Sequence, residues 1–311
     1  MRASRRGLVT RTAGIDCGTN SIRLLVADVE DGRLVDVVRE MRVVRLGQGV
    51  DRTGRLAPDA LERTRRALAD YAATIRDTGA ERVRMVATSA TRDAQNRDEF
   101  VAMVQRELGV APEVISGAEE AELSYTGAAS VLDLTSGPVL VADIGGGSTE
   151  LVRGGDGPLR SFSMDVGCVR MTERHLHDDP PTPAQIEATV ADLRAAIAVA
   201  REHVPLDADA TFIGVAGTVT TIAALALGLE RYDPDAIHGS TISAEQVADV
   251  TARLLAMTHD QRAALPVMHP GRVDVIGGGA LVLRTLLEQI GAGAVIASEH
   301  DILDGIALSI A

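Results

Sequence analysis

The hydrophobic pattern of this chain repeats itself. An apolar run at 13–15 enters the polar turn Asp16-Cys17-Gly18-Thr19-Asn20-Ser21, and a second run at 22–27 leaves it. Further along by 127 positions, 139–142 enters Asp143-Ile144-Gly145-Gly146-Gly147-Ser148, and Leu151-Val152 leaves it. Both segments read D-x-G-x-x-S-x-x-L. Apolar runs bounded by Gly and Ser predict buried strands joined by a tight turn. Glycine lets the backbone come close to a ligand, and successive free N–H groups in such a turn make a concave anion site. Two copies predict two lobes, each offering a phosphate-gripping hairpin to a shared cleft.

Between the hairpins the period changes. A strand is expected at 37–46. Pro58 opens a helix with Leu61, Leu68, Tyr71 and Ile75 on one face, and Gly79 stops it. A strand at 83–87 runs into the polar stretch 88–93, followed by a helix at 98–108 and a short strand at 113–115. The order β-β-β-α-β-α-β makes a complete small α/β lobe. Ser116 and Glu119 have capping-box spacing, so Glu119 is expected to turn back to the Ser116 N–H at the start of a helix reaching about 129. A turn at 133–138 leads to the second hairpin. A strand at 161–166, a long helix from Thr182 with Pro183 at its first position, a strand at 210–215 and a helix at 219–227 follow. Ser243 and Gln246 form a further capping box. Residues 273–276, Gly277-Gly278-Gly279 and 280–290 read as strand, glycine turn and helix, and a short helix at 301–310 comes last.

Composition narrows the partners. With 311 residues, 46% of them hydrophobic, the chain has material for two cores. A net charge of −13 argues against nucleic acid and anionic membranes, and 2% aromatics with no Trp argue against stacking as the main mode of recognition. The sequence holds no lysine, and its 31 basic residues are all arginine. A P-loop lysine and a Schiff-base lysine are therefore excluded. Phosphate contacts must come from Arg, backbone N–H groups, hydroxyls or a metal. Cys17 and Cys168 have no metal-binding spacing and read as reduced thiols. The start, 1–11, is basic without the apolar stretch of a secretion signal, and no apolar run approaches the ~20 residues of a membrane span. A cytoplasmic protein is expected, working as a homodimer.

Eight segments in order resemble the exopolyphosphatase and guanosine pentaphosphate phosphohydrolase family, within the superfamily of actin, sugar kinases and heat-shock chaperone ATPases. They are 13–21 (AGIDCGTNS), 87–96 (ATSATRDAQN), 115–121 (ISGAEEA), 141–150 (VADIGGGSTE), 167–173 (GCVRMTE), 214–218 (GVAGT), 232–239 (YDPDAIHG) and 271–276 (GRVDVI). The resemblance spans essentially the whole chain. It implies an α/β fold of two ribonuclease-H-like lobes of the actin-like ATPase kind, with an interlobe cleft. Lobe I is expected at 1–127 plus 299–311 and lobe II at 128–298. The helical extension of larger relatives is missing, so a weaker grip on very long chains is expected.

Phosphoanhydride hydrolysis needs an anion cradle, a charge-screening metal and a base for water. Gly145, Gly146, Gly147, Ser148 and Thr149 are the candidate cradle, and Thr19, Asn20 and Ser21 face it with donors. Asp143 and Glu150 bracket the glycines and suit Mg²⁺, an oxygen-seeking ion that keeps its waters. Asp16 is the counterpart of Asp143, and it either braces its turn or supports the metal. Acids in a first helical turn are ordinarily favoured by the helix dipole, so Glu119, Glu120 and Glu122 need separating. With Glu119 drawn back into the capping box, Glu120 points about 100° further round, free to face a cleft. The family's catalytic glutamate also maps to Glu120. Arg23, Arg92 and Arg272 stand where strands meet the cleft, and in the resemblance they match phosphate- or nucleotide-contacting positions, as does Gly217. Arg170 either adds to that grip or braces a helix start. His238 reads as a structural hydrogen-bonder. The leading expectation is release of terminal phosphate from polyphosphate, with guanosine pentaphosphate (pppGpp) as a further substrate. The alternatives are a polyphosphate or alarmone sensor with weak turnover and an ATP-dependent small-molecule kinase.

Overall fold

Both polar turns are closed by the same bond. The Gly18 N–H donates to the Ser21 carbonyl at 3.0 Å, and the Gly145 N–H donates to the Ser148 carbonyl at 3.1 Å. The computed structural model describes residues 10–30, 32–130, 137–155 and 157–311. The first part of the chain runs β1 (Thr10–Cys17), β2 (Ser21–Glu30), β3 (Arg33–Val43), α1 (Val50–Thr53), α2 (Pro58–Thr78), β4 (Arg82–Ala87), α3 (Ser89–Asp93), α4 (Arg97–Leu108), β5 (Glu113–Val114) and α5 (Gly117–Ala129). It continues as β6 (Val139–Ile144), β7 (Thr149–Gly154), β8 (Arg160–Met164), α6 (Cys168–His175), α7 (Pro183–Ala200), β9 (Thr211–Val215), α8 (Ala216–Ala226) and α9 (Pro234–Ile237). Then come β10 (Thr241–Ser243), α10 (Ala244–Ala256), α11 (His259–Ala263), α12 (Ile276–Ile290), β11 (Ala294–Ala297) and α13 (Ile302–Ser309).

Among the described residues the strands form two sheets, ordered β3-β2-β1-β4-β5 and β10-β11-β9-β6-β7-β8. In each, an antiparallel meander of three strands is extended by two parallel strands beyond its first member, and in the second sheet β10 adds an antiparallel edge on β11. This is the ribonuclease-H-like arrangement, built twice, as in the actin-like ATPase fold. The first sheet covers a core that includes Ile15, Leu24, Leu68, Tyr71 and Phe100. The second covers a larger core with Leu140, Ile144, Leu193, Phe212 and Leu283. Local signals behave as the sequence suggests. Pro58 begins α2, and Gly79 ends it in the left-handed region at φ 71°. Thr182 and Ser243 close complete capping boxes with Gln185 and Gln246.

Two helices connect the lobes. α5 packs on β6, β7 and β8, whereas α13 packs on β1 and β2, and the two helices pack on each other. Their contact needs glycine. A Cβ on Gly127 would fall inside the Asp301 carbonyl, and one on Gly305 inside the Leu123 carbonyl. The backbones therefore touch at the crossing, beside the small cluster of Val86, Ile115, Leu123, Ile302 and Ile306.

Two expectations need correction, and one stretch without a predicted element has one. Residues 273–276 are not a strand: α12 begins at Ile276 and takes the three glycines into its first turns, after a 3-10 turn at Pro270–Arg272. Close packing overrides the helix penalty of about 1 kcal/mol per glycine, because a side chain on Gly278 would strike Thr172 and the Cys168 carbonyl. The stretch 88–93 is mostly helical, as α3. The Ser116 hydroxyl accepts the Glu119 N–H at 3.2 Å, but the Glu119 carboxylate does not return to Ser116. It pairs with Arg84 at 2.7 Å, because an arginine outcompetes a backbone N–H for a carboxylate. Most of the turn expected at 133–138, and residues 1–9, lie outside the described residues. Among the described residues no helix is long and apolar enough to cross a membrane.

Candidate active site

The two turns meet. A side chain on Gly146 would collide with Thr19, and one on Gly147 with Thr19 and Ser89. Between the turns lies a cavity of about 110 Å³ walled by Gly18, Thr19, Asn20 and Ser21 on one side and Gly145, Gly146 and Ser148 on the other. Asp16, Arg23, Glu120, Gly217 and Arg272 also line it. The cradle is held from behind by α6. The Cys168 N–H donates to the Gly145 carbonyl at 2.9 Å and the Val169 N–H to the Gly146 carbonyl at 2.8 Å. The C=O and N–H of a trans peptide point opposite ways. The Gly146 and Gly147 N–H groups are thereby aimed away from α6, as an anion nest requires.

Glu120 sits in the first turn of α5, 7% exposed, and accepts from Arg92 at 3.0 Å. Burial pushes its carboxyl up to about 7; Arg92 pulls it down, while Asp143 and Asp16 push it up. One helical turn on, Ser124 donates to Asp143 at 2.5 Å. Asp143 faces Glu150 across the β6–β7 ladder, and Glu150 accepts from Ser163 at 2.6 Å. Burial raises the pKa of Asp143, with Asp301 and Asp16 adding to the effect. It raises Glu150 further, with Glu120 and Asp143 adding. Asp16 is raised by burial against the opposing charge of Arg23. Arg23 bridges Asp16, at 2.7 Å, and Asp301.

The predicted residues thus divide into groups. Thr19, Asn20, Ser21, Arg23, Gly145, Gly146, Ser148, Gly217, Arg272, Asp16 and Glu120 line the cavity. Gly147 lies beside it, against Thr19. Asp143, Glu150, Thr149 and Arg92 stand behind the wall. Thr149 gives its hydroxyl to the Val166 carbonyl at 2.7 Å, and Arg92 divides its Nη1 between Glu120 and the Ile115 carbonyl at 3.0 Å. Arg272 lies against the bare face of Gly217 and donates to Thr221 at 2.9 Å. His238 accepts from the Glu299 N–H at 3.4 Å. Several site residues escaped the sequence reading. Ser89 bonds Thr19 at 2.9 Å, and Ala216 lines the cavity at φ 69°, a strained value for a residue with a side chain. Asp301 is an N-cap whose partner Arg23 is 278 positions away. The sequence signalled only that a helix starts near Asp301.

Among the described residues no set of three or more His, Cys, Asp or Glu side chains is arranged to hold a metal alone. The donor chemistry still suits a hard divalent cation. Asp16 Oδ1 is buried with no hydrogen-bond partner, and three further carboxylates crowd the same region. A cation that keeps its waters and shares substrate oxygens fits such a set.

A two-lobed actin-like fold, with two glycine-containing turns and a buried, raised carboxyl around one cavity, has the architecture of a phosphate-transfer protein. The chain belongs to the Ppx/GppA phosphatase family, whose sequence profile matches residues 25–311. It is 54% identical to Exopolyphosphatase 2 of Mycobacterium tuberculosis over 97% of this chain and 99% of that protein. It is 30% identical to the guanosine-5'-triphosphate,3'-diphosphate pyrophosphatase of Aeromonas hydrophila over 90% of this chain, and spans 55% of that longer protein. Among solved structures, the Aquifex aeolicus member of the family superposes with a TM-score of 0.82 at 32% identity, covering 97% of both chains.

Proposed function

We propose that this chain is an exopolyphosphatase that removes the terminal phosphate of inorganic polyphosphate by hydrolysis. The observation that carries the reading is Glu120, a carboxyl held near neutral pKa on the wall of a small cleft between two phosphate-binding turns. A base poised near 7 can take a proton from water at physiological pH. The backbone N–H groups of Gly146, Gly147 and Ser148, with Thr19, Asn20 and Ser21, grip the terminal phosphoryl group. Glu120 accepts a proton from water as the oxygen attacks phosphorus. The P–O anhydride bond breaks, and phosphate and a chain shorter by one unit leave. Arg23 and Arg272 neutralise charge on the remaining chain. Arg92 orients Glu120 and, being cationic, keeps it from rising further.

Asp143 and Glu150, with the free oxygen of Asp16, are the residues we assign to Mg²⁺. When bound, the ion screens the charge of the phosphoryl oxygens. The lobe division at 1–127 plus 299–311 and 128–298, a homodimer and a cytoplasmic setting belong to the same proposal. The buried free thiols Cys17 and Cys168 support a reducing compartment.

A second substrate, pppGpp, is favoured by a neighbouring cavity of about 480 Å³. It shares Arg23, Met41, Ala216, Gly217 and Arg272 with the first and adds Tyr232 and Met268, giving a nucleoside an apolar wall. The test is phosphate release from polyphosphates of defined length, beside pppGpp and ATP, with and without Mg²⁺. Release only from ATP, or from none, would overturn the proposal.

A further inference from the structure

The two turns are braced differently at one equivalent position. In the first, the Asn20 carbonyl receives backbone N–H groups from Val44 at 3.1 Å and Arg45 at 2.8 Å, both of its own lobe. In the second, the equivalent Gly147 carbonyl receives a side chain, Arg170 Nε at 2.6 Å. The same guanidinium reaches across the cleft. Its Nη1 pairs with Asp51 on α1 at 2.8 Å, and its Nη2 with Asp93 on α3 at 2.5 Å. Around it the α6 face meets the first lobe again: Arg174 pairs with Asp51 at 2.9 Å, and Glu173 accepts the Gly49 N–H at 3.0 Å.

We propose that Arg170 is a positioning residue that makes the shape of the phosphate cradle depend on lobe closure. The proposal rests on the cradle being the phosphate site. A guanidinium is a rigid planar fork, so three bonds in fixed directions can all be good in one lobe arrangement only. With the lobes together, the Gly147 carbonyl is pinned and the following Ser148 N–H is turned the opposite way, into the nest. When the lobes part, Nη1 and Nη2 lose their acids and the guanidinium is drawn toward solvent. The Gly147 peptide then loses this anchor, and glycine offers little resistance to its rotation. Asp93 also neighbours Arg92, the partner of Glu120, so the closed state that pins the cradle also fixes the helix presenting that partner. Coupling of this kind is reciprocal: filling the cradle must favour closure as much as closure favours filling.

The experiment compares three proteins: the unaltered chain, the double variant Asp51→Asn/Asp93→Asn, and Arg170→Lys. The double variant keeps the cradle bond but loses the charges across the cleft. Arg170→Lys keeps a charge between the acids but lacks the fork that reaches Gly147. Small-angle scattering without ligand, titration with tripolyphosphate in a Glu120→Gln background, and kcat and KM at two salt concentrations are recorded. The double variant is expected to be more open, to bind tripolyphosphate roughly tenfold more weakly, and to raise KM with kcat little changed. The unaltered protein should lose affinity with added salt more steeply than the double variant. Arg170→Lys is expected to stay compact and still bind weakly. A double variant matching the unaltered protein in both scattering and affinity would overturn the proposal, as would losses confined to kcat. Scattering and binding need no turnover, so they judge Arg170 even if polyphosphate is not hydrolysed, a result that counts against the functional reading alone.

Discussion

Arg23 and Glu150 occupy the same position in the two hairpins, 127 residues apart, and each faces an aspartate across its ladder. Arg23 stands opposite Asp16, and Glu150 opposite Asp143. The repeat keeps the backbone and inverts the charge. One aspartate is neutralised by its neighbour; the other is doubled by it. The unopposed carboxyl pair is thereby confined to the second hairpin, beside its glycine turn.

Glu150→Gln should therefore stabilise the protein in chelator. It removes a buried charge that Glu120 and Asp143 both oppose. Its carboxyl is raised by burial and by those neighbours, so a neutral amide in its place should raise the midpoint of urea unfolding. Activity should fall together with the response to Mg²⁺. A variant that is destabilised without metal yet still stabilised by Mg²⁺ would speak against the assignment.

Glu119 and Glu120 are adjacent, which makes them a matched pair. Glu120→Gln should cost about 10²–10⁴ in kcat with binding largely kept. Glu119 is solvated and paired with Arg84, so Glu119→Gln should change stability by less than about 1 kcal/mol and leave turnover near normal. A general charge effect would move both variants alike, and equal losses would remove Glu120 from the role of base.

The repeat, most helix caps and the tight glycine turns were legible because they are local: each depends on residues a few positions apart. The lobes followed from the hairpin pattern. What was hidden depends on distant partners. Glu119 carries a capping signature, yet Arg84, on β4, takes its carboxylate. Residues 273–276 have strand composition, but the closeness of α6 to Gly278 draws the glycines into a helix from Ile276 and leaves 273–275 as a turn. For Arg170 the sequence left grip and brace both open, because its partners Asp51 and Asp93 are 119 and 77 positions away.

The helix crossing at Gly127 should tolerate no side chain. In Gly127→Ala the new methyl group meets the Asp301 backbone, which cannot swing aside as a side chain would. Overpacking of this kind costs about 1–3 kcal/mol or more. Gly293→Ala, where a Cβ meets nothing within 4 Å, is the control and should be close to neutral. Denaturant midpoints decide: similar values for the two variants would mean that α5 and α13 separate readily.

The acids also set how stability follows pH when no cation is bound. Glu120, Asp143 and Glu150 have folded-state pKa values raised above the ordinary carboxylate range. Such groups bind protons more readily in the folded chain, so their ionisation weakens the fold at high pH. The penalty is relieved as pH falls through the folded value, about 7 for Glu120, toward its ordinary 4.5. Asp304 works in the opposite sense. Burial opposes its charge, but His300 and Arg39 hold its pKa down to about 2 against an ordinary 3.8. Its contribution is complete above about pH 4 and lost as pH drops toward 2. The protein in chelator should therefore gain stability from about pH 8 to about pH 5 and lose it below about pH 4. A divalent cation binds only ionised carboxylates, so it should stabilise most at high pH and flatten the upper limb of the profile. Thermal unfolding across pH, with chelator and with Mg²⁺, makes the comparison. Stability that rises from pH 5 to pH 8 in chelator, or an upper limb unchanged by Mg²⁺, would mean that these carboxylates are not strained against one another and do not await a cation.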